Sequence, residues 1–314
     1  MLAPVPSRVE GGPVRRPFIL AALVLGIGGA PANASQLLGR NATDVKLAVN
    51  GKGEALVTYT SGGTLTHVLA WGAVNAVTPT PDGEQVAFRL DYSGGYAKYR
   101  RSYWRTFGAA CGHYAGPELA DLVAVCSAPD GSNWSLQAWQ RGLPDYGVVP
   151  SPSQSAVELH LSHWTGALPV LTVRTDWAYR TFNHLYGSFV YRGAGVHGYR
   201  STRSGLPLDT FGRNLYVDTY DSAYGRGWRR ENSFLTHNPN GTFCYGFYPH
   251  GSHPVGKGTR YRATIVGPGV TPDIAWEGPA PASYDPTTEA AARLEQRKSF
   301  TDRACVAAQA TGPG

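Results

Sequence analysis

Residues Val157–Arg174 read VELHLSHWTGALPVLTVR. Val157, Leu159 and Leu161 alternate with Glu158, His160 and Ser162; beyond Thr165-Gly166-Ala167, Leu171 and Val173 alternate with Thr172 and Arg174. A period of two belongs to a strand with one buried face, not to a helix. A three-residue loop between the two runs would set Leu161 beside Leu171, Leu159 beside Val173 and Glu158 beside Arg174. Apolar then meets apolar and opposite charges meet. The same alternation sends His160 and His163 to opposite faces, so this pair is not expected to share a metal.

The pattern extends in both directions. Val45–Val49, Ala55–Tyr59 and Leu65–Trp71 are short branched or aromatic runs separated by Asn50-Gly51 and Ser61-Gly62-Gly63, which are hairpin signals. Gln85–Tyr92 and Tyr96–Trp104 read as a further hairpin around Ser93-Gly94-Gly95, and Trp134–Trp139 as a strand after Asp130-Gly131. Phe189–Arg192, Val196–Arg200, Leu215–Thr219, Thr242–Tyr248 and Tyr261–Val266 continue the series. Many short strands with Gly-rich turns predict a mainly β chain of antiparallel sandwich or jelly-roll-like sheets. Two helices are expected besides. A short internal one spans Glu118–Cys126. A C-terminal one has Asp285 as N-cap, Pro286 at its first position and Glu289 in its first turn. It runs on through Ala290–Ala308, with Leu294 and Cys305 on one face.

The 314 residues include 39 Gly and 23 Pro, and only 16% are charged against 42% hydrophobic. That balance excludes a disordered chain, a collagen and a long coiled coil. Residues 142–156 are rich in Pro, Gly and Ser, which suggests a β-rich region with a short helix over 35–145, a linker over 146–156 and a second β region over 157–314. The two regions can also form one compact unit.

The amino terminus has the layout of an export signal. Arg15-Arg16 precede the apolar run Phe18–Gly28, followed by Ala32-Asn33-Ala34, a small-x-small cleavage site. Residues 1–34 are therefore expected to be a signal peptide cut after Ala34, with Ser35 as the first mature residue; the run is too short to span a membrane. The expected location is secreted or cell-envelope-associated. Arg outnumbers Lys and Ala, Gly and Pro abound, as in a GC-rich bacterial genome. Four cysteines in an exported chain imply two disulfides, for which Cys111–Cys126 and Cys244–Cys305 are the favoured pairs. The net charge of +6 falls by two once Arg8, Arg15, Arg16 and Glu10 leave with the signal. What remains is too dispersed for a nucleic-acid partner.

No GxSxG, HExxH, phosphate loop or EF-hand loop is present, and no cofactor or metal is expected. His250 and His253 share a loop but lack an evident third ligand. Function is expected instead in Arg200–His250, where Arg, Asn, Asp and Tyr crowd around Trp228. Tyr216, Tyr220, Tyr224 and Trp228 offer flat apolar ring faces to sugars, while Arg213, Asp218, Asp221, Arg229 and Asn232 can bond hydroxyls. Trp164 and Trp177 are further aromatic candidates. The expected function is non-catalytic binding of a glycan or cell-envelope polymer. A secreted carbohydrate-active hydrolase is the alternative, with Asp218, Asp221 and Glu231 as its carboxylates and His237 as acid or base. A purely structural or protein-interaction module is the third reading.

Overall fold

The computed structural model describes residues 35–77, 86–140, 155–178, 180–196, 200–201, 207–208, 215–231, 236–237, 241–247, 257–267 and 269–299. The expected signal (1–34), nearly all of the expected linker, Arg213, Asn232, His250, His253 and Cys305 lie outside them.

The chain begins with strands β1 (Gln36–Arg40), β2 (Thr43–Val49), β3 (Ala55–Ser61), β4 (Thr64–Trp71) and β5 (Arg89–Asp91). A one-turn helix α1 (Tyr96–Tyr99) follows, then β6 (Leu122–Ser127), β7 (Asn133–Gln140) and β8 (Val157–Trp164). Two four-stranded antiparallel sheets result, ordered β1-β8-β7-β6 and β2-β3-β4-β5. They share one core, in which Val57, Val68 and Ala70 of one sheet meet Trp134, Leu136, Leu159 and Leu161 of the other. This first sandwich is cross-linked by the Cys111–Cys126 disulfide, whose Cα atoms are 5.3 Å apart. Breaking that bond, which closes a loop of sequence separation 15, is expected to lower stability by about 3 kcal/mol. Urea unfolding of Cys111→Ser/Cys126→Ser against the parent checks this.

The remaining strands are β9 (Val170–Ala178), β10 (Phe182–Tyr191), β11 (Ala194–Gly195), β12 (Arg200–Ser201), β13 (Pro207–Leu208), β14 (Leu215–Ser222), β15 (Gly225–Arg230), β16 (Thr236–His237), β17 (Thr242–Gly246), β18 (Arg260–Ile265) and β19 (Ile274–Pro279). One sheet runs β11-β10-β17-β16 with β9 on the other side of β10; a second runs β15-β14-β18-β19; β12 and β13 pair alone. Leu185, Phe189, Phe243 and Tyr245 of the first meet Val217, Tyr261, Ala263 and Ile265 of the second in one apolar core. Helix α2 (Pro286–Ser299) starts as its sequence dictates, with Asp285 Oδ1 accepting from the Thr287 amide at 2.8 Å. It packs through Ala292 against Tyr186 and Cys244, and Arg174 of β9 pairs with Glu295. Cys244 is disulfide-bonded. Leu294 is 55% exposed.

Three local expectations are corrected. The 157–174 segment is not a hairpin: β8 pairs with β7 and β1, and β9 pairs with β10. In the expected register Pro169 would face His163, and proline has no amide to donate to a ladder; β9 starts one residue later. Arg174 therefore does not face Glu158, whose partner is Arg40 of β1 at 2.9 Å. Strand β8 thus belongs to the β1-β8-β7-β6 sheet of the first sandwich. Residues 118–126 form no helix: Leu122–Ser127 is a strand paired with β7, as suits its valines, and buried Cys126 is fixed by its bridge. Tyr96–Trp104 is not a strand either. Asp91 accepts bonds from the Ser93 amide at 2.9 Å and the Lys98 amide at 3.1 Å, winding the chain into α1. Gly95 makes this turn at φ 98°, and a Cβ there would sit 2.7 Å from Tyr103 Cβ.

A buried polar cluster joins the two sandwiches. Asp273 accepts from Ser35 Oγ at 2.5 Å, Trp139 Nε1 at 2.8 Å and the Gly267 amide at 2.7 Å. Its own amide donates to Gln137 Oε1 at 2.8 Å. Nearby, the His163 amide donates to the Val270 carbonyl at 2.7 Å. The polar side of β8 is buried with partners: His160 Nδ1 lies 2.9 Å from Ser35 Oγ, and Ser162 Oγ donates to the Thr271 carbonyl at 3.2 Å.

Candidate ligand-binding face

Strand register builds a continuous face on the β15-β14-β18-β19 sheet. Asp218 lies opposite Arg230 on one side and Arg262 on the other; Tyr220 lies opposite Trp228 and Arg260; Arg262 lies opposite Glu277. Period-two alternation puts Tyr216, Asp218 and Tyr220 on one side of β14 and Leu215, Val217 and Thr219 on the core side. Strand β18 repeats the device: Arg260, Arg262 and Thr264 share the side of Tyr216, Asp218 and Tyr220, and Tyr261, Ala263 and Ile265 face the core; Thr264 is buried at the end where Tyr216 meets Trp139 edge-on at 5.4 Å. The arginines of β18 escaped the expected site because it ended at His250. The alternation in Arg-Tyr-Arg-Ala-Thr-Ile was the signal that could have found them.

Asp218 anchors the face. Its Oδ1 accepts from Arg230 Nε at 2.5 Å, and its Oδ2 from Arg262 at 3.1 and 3.0 Å. Arg230 also donates to the Gln140 carbonyl at 2.6 Å. Around this anchor, guanidinium groups lie over rings: Arg230 over Tyr216 at 4.8 Å, Arg262 over Trp228 at 4.8 Å and Arg260 over Trp228 at 5.4 Å. Tyr220 meets Trp228 edge-on at 5.1 Å. Arg260 pairs with Glu277 at 2.6 Å, both side chains being about half exposed. Stacked guanidiniums of this kind hold their donor forks in fixed planes.

The other expected residues go elsewhere. Tyr224 is buried, and Arg229 lies opposite Thr219 on the core side of the sheet. Asp221 sits in the bulge at φ 48° and caps the turn by accepting from the Gly227 amide at 2.7 Å. Glu231 follows Arg230 onto the core side, its amide donating to the Val217 carbonyl. There burial, together with the nearby Glu231 charge, pushes the Tyr261 hydroxyl up to about 12. Asp218 and Glu231 thus lie on opposite faces of the sheet, and Asp221 at its end. The backbone of His237 belongs to β16, in the other sheet. Trp164 is buried in the first sandwich, and Trp177 donates to the Ala282 carbonyl at 2.7 Å, tying down the approach to α2.

Ser35, His160 and Asp273 are the residue types of a nucleophilic triad, but their geometry differs from one. Ser35 Oγ and Asp273 Oδ2 both lie on His160 Nδ1, at 2.9 and 3.0 Å. Nε2 faces Glu158 at 3.4 Å. A triad needs the nucleophile and the carboxylate on different ring nitrogens. Burial by itself would raise the Asp273 carboxyl, but His160, Ser35 and the Gly267 amide hold it below the usual range. The cluster acts as a hydrogen-bonded lock between the sandwiches. His160 and His163 do take opposite faces of β8, and among the described residues no group of His, Cys, Asp or Glu is arranged to hold a metal ion. Also among those residues, no helix is long and apolar enough to cross a membrane.

Two clefts, of about 450 and 350 Å3, lie away from this face, one lined by Arg180, Tyr284 and Arg293 and the other by His113, Tyr114 and Trp164. Comparison with protein-family models, with curated proteins and with solved structures finds no match to this chain.

Proposed function

We propose that the protein is an exported, non-catalytic binder of a glycan or cell-envelope polymer, and that the Tyr216–Tyr220–Trp228–Arg260–Arg262 face is its contact surface. The observation that carries this reading is the shared, half-exposed face itself. Aromatic rings and guanidinium forks lie side by side on one sheet, the combination that packs against sugar C–H surfaces while bonding hydroxyl or acidic groups. An open face suits a chain-like ligand, which passes across it rather than entering a cavity.

The arrangement of carboxylates favours binding over hydrolysis. A glycosidase needs two carboxyl groups across one bond, about 5–9.5 Å apart. Asp218 is committed to two guanidiniums, and Glu231 lies behind the sheet. A disulfide in the first sandwich accords with an extracytoplasmic location.

Affinity electrophoresis of the purified protein through gels containing neutral glucans, polyuronates or soluble peptidoglycan fragments tests the ligand class. Retardation by at least one polymer, with no reducing ends released on long incubation, is expected. Release of reducing ends from a retarding polymer would replace this reading with the hydrolase.

A further inference from the structure

The turn that displaced an expected hairpin creates a second surface. Residues 89–107 carry Arg89, Lys98, Arg100, Arg101 and Arg105 against the single carboxylate Asp91, and Lys52 and Glu54 stand nearby on the β2–β3 turn. Both acids are already engaged. Asp91 holds the backbone of α1, with Ser93 Oγ donating to it at 2.5 Å. Glu54 accepts from Lys98 Nζ at 2.6 Å, Asn50 Nδ2 at 2.9 Å and Tyr103 OH at 3.2 Å, and also from Tyr99. Burial alone would raise the Glu54 carboxyl, but these donors bring it down to about 2. Exposed Arg100, Arg101 and Arg105 therefore form no ion pair among the described residues.

Two of these arginines are nevertheless held against rings. Arg101 lies over the Tyr103 ring at 5.3 Å and Arg105 over Trp104 at 5.0 Å. Trp104 stacks on His67 with ring centroids 4.2 Å apart. Lys98 lies over Trp71 at 3.9 Å. Gly94 and Gly95, both at positive φ, let the turn close against Trp104 and Tyr103, where a Cβ would collide. Tyr92 and Tyr96 stand out at 52% and 55% exposure. A guanidinium already held in place loses less freedom on binding, which strengthens association.

We propose that this patch is a second binding site, for an acidic polysaccharide. Arg100, Arg101 and Arg105 pair with carboxylates spaced along the polymer, and Tyr92 and Tyr96 contact its sugar rings. Guanidinium forks match carboxylates bidentately. A lipid surface fits less well, because interfacial segments insert a wide apolar face and residues 91–107 offer no aliphatic side chain beyond Ala97. A nucleic acid fits less well, because successive bases need a run of free ring faces and among these rings only Tyr92 and Tyr96 stand exposed. Here Tyr99 and Tyr103 pack on each other at 4.2 Å and Trp104 packs on His67. This site does not depend on the C-terminal face. With both present, one polymer can engage the protein twice and gain from effective concentration.

The test is affinity electrophoresis and titration of the purified protein with polygalacturonate, run beside a neutral glucan, single-stranded DNA and anionic phospholipid vesicles. Arg100→Gln/Arg101→Gln/Arg105→Gln is compared with the parent and with Trp228→Ala. The proposal expects polygalacturonate binding that weakens with salt and falls at least tenfold in the triple variant, with an unchanged melting temperature. In Trp228→Ala this salt-sensitive component should survive. No binding of polygalacturonate by the parent, or binding within twofold of the parent in the triple variant, would overturn it. So would tighter binding of the DNA or the vesicles. Loss in Trp228→Ala alone would leave the C-terminal face standing and remove this site.

Discussion

Replacing Asp218 by Ala is expected to lower the unfolding free energy by about 3–5 kcal/mol. The carboxylate and its partner Arg230 each keep only 4% of their side-chain surface exposed. Truncation leaves Arg230 as a buried charge beneath Tyr216, with only the Gln140 carbonyl still opposite it. Arg262, at 24% exposure, can extend into water along its aliphatic stem and loses less. A second substitution separates the pair's net worth from the cost of orphaning one partner. In Asp218→Ala/Arg230→Met both charges are gone, and apolar replacements of buried pairs are often close to neutral. The double variant should therefore recover much of the loss. Urea unfolding of the parent and both variants measures this; a loss under about 1 kcal/mol in the single variant would contradict the anchoring role.

Acidification from pH 7 to pH 5 should cost about 2 kcal/mol for each of two histidines, or about 4 together. Burial pushes His163 down to about 4, against the opposing effects of its bond to the Ala73 carbonyl and the Asp130 charge. Burial alone does the same for His184. The unfolded chain takes up protons on these rings near pH 6.5, whereas the folded protein resists until near pH 4. Their contribution is therefore complete above pH 6.5 and declines as the pH falls. The carboxyl groups with depressed values, Glu54 and Asp273, act lower: their contribution is present above the usual carboxylate range and is lost as the pH falls through it. Stability measured between pH 7 and pH 5 separates these histidines from the depressed carboxyls. His163 has a packing role too, since its ring lies flat on Trp134 at 3.7 Å. His184→Gln is thus the cleaner probe and should halve the slope. A flat profile across that window would contradict the burial of neutral imidazoles.

Short branched or aromatic runs between Gly-rich turns carried most of what was legible in the sequence. They marked the strands around Ala55–Tyr59, Leu65–Trp71 and Tyr261–Val266. Helix α2 was visible in Asp285-Pro286 because capping is a local interaction. Strand partners were not local. Glu158 and Arg40 meet across 118 residues, and the apolar pattern of β8 suits a neighbour on either side. The hairpin reading satisfied every apolar contact and failed on one missing amide, at Pro169. The α1 turn was hidden for another reason: Asp91 and Ser93 bond backbone amides in competition with a ladder, and Ser-Gly-Gly looks alike in both settings. The aromatic candidates divided by depth. Tyr224 and Trp164 are core residues, while Tyr220 and Trp228 stay half open to water because the arginines of β18 flank them.

The central claim is that the face around Trp228 holds a polymer. Isothermal titration of the polymer that retards the protein in gels, with Arg100, Arg101 and Arg105 replaced by Gln in both parent and Trp228→Ala and at equal folded fraction, isolates this face. Affinity at least tenfold weaker for Trp228→Ala with an unchanged melting profile is expected, a loss of about 1.4 kcal/mol or more. Equal affinity in parent and variant would contradict it.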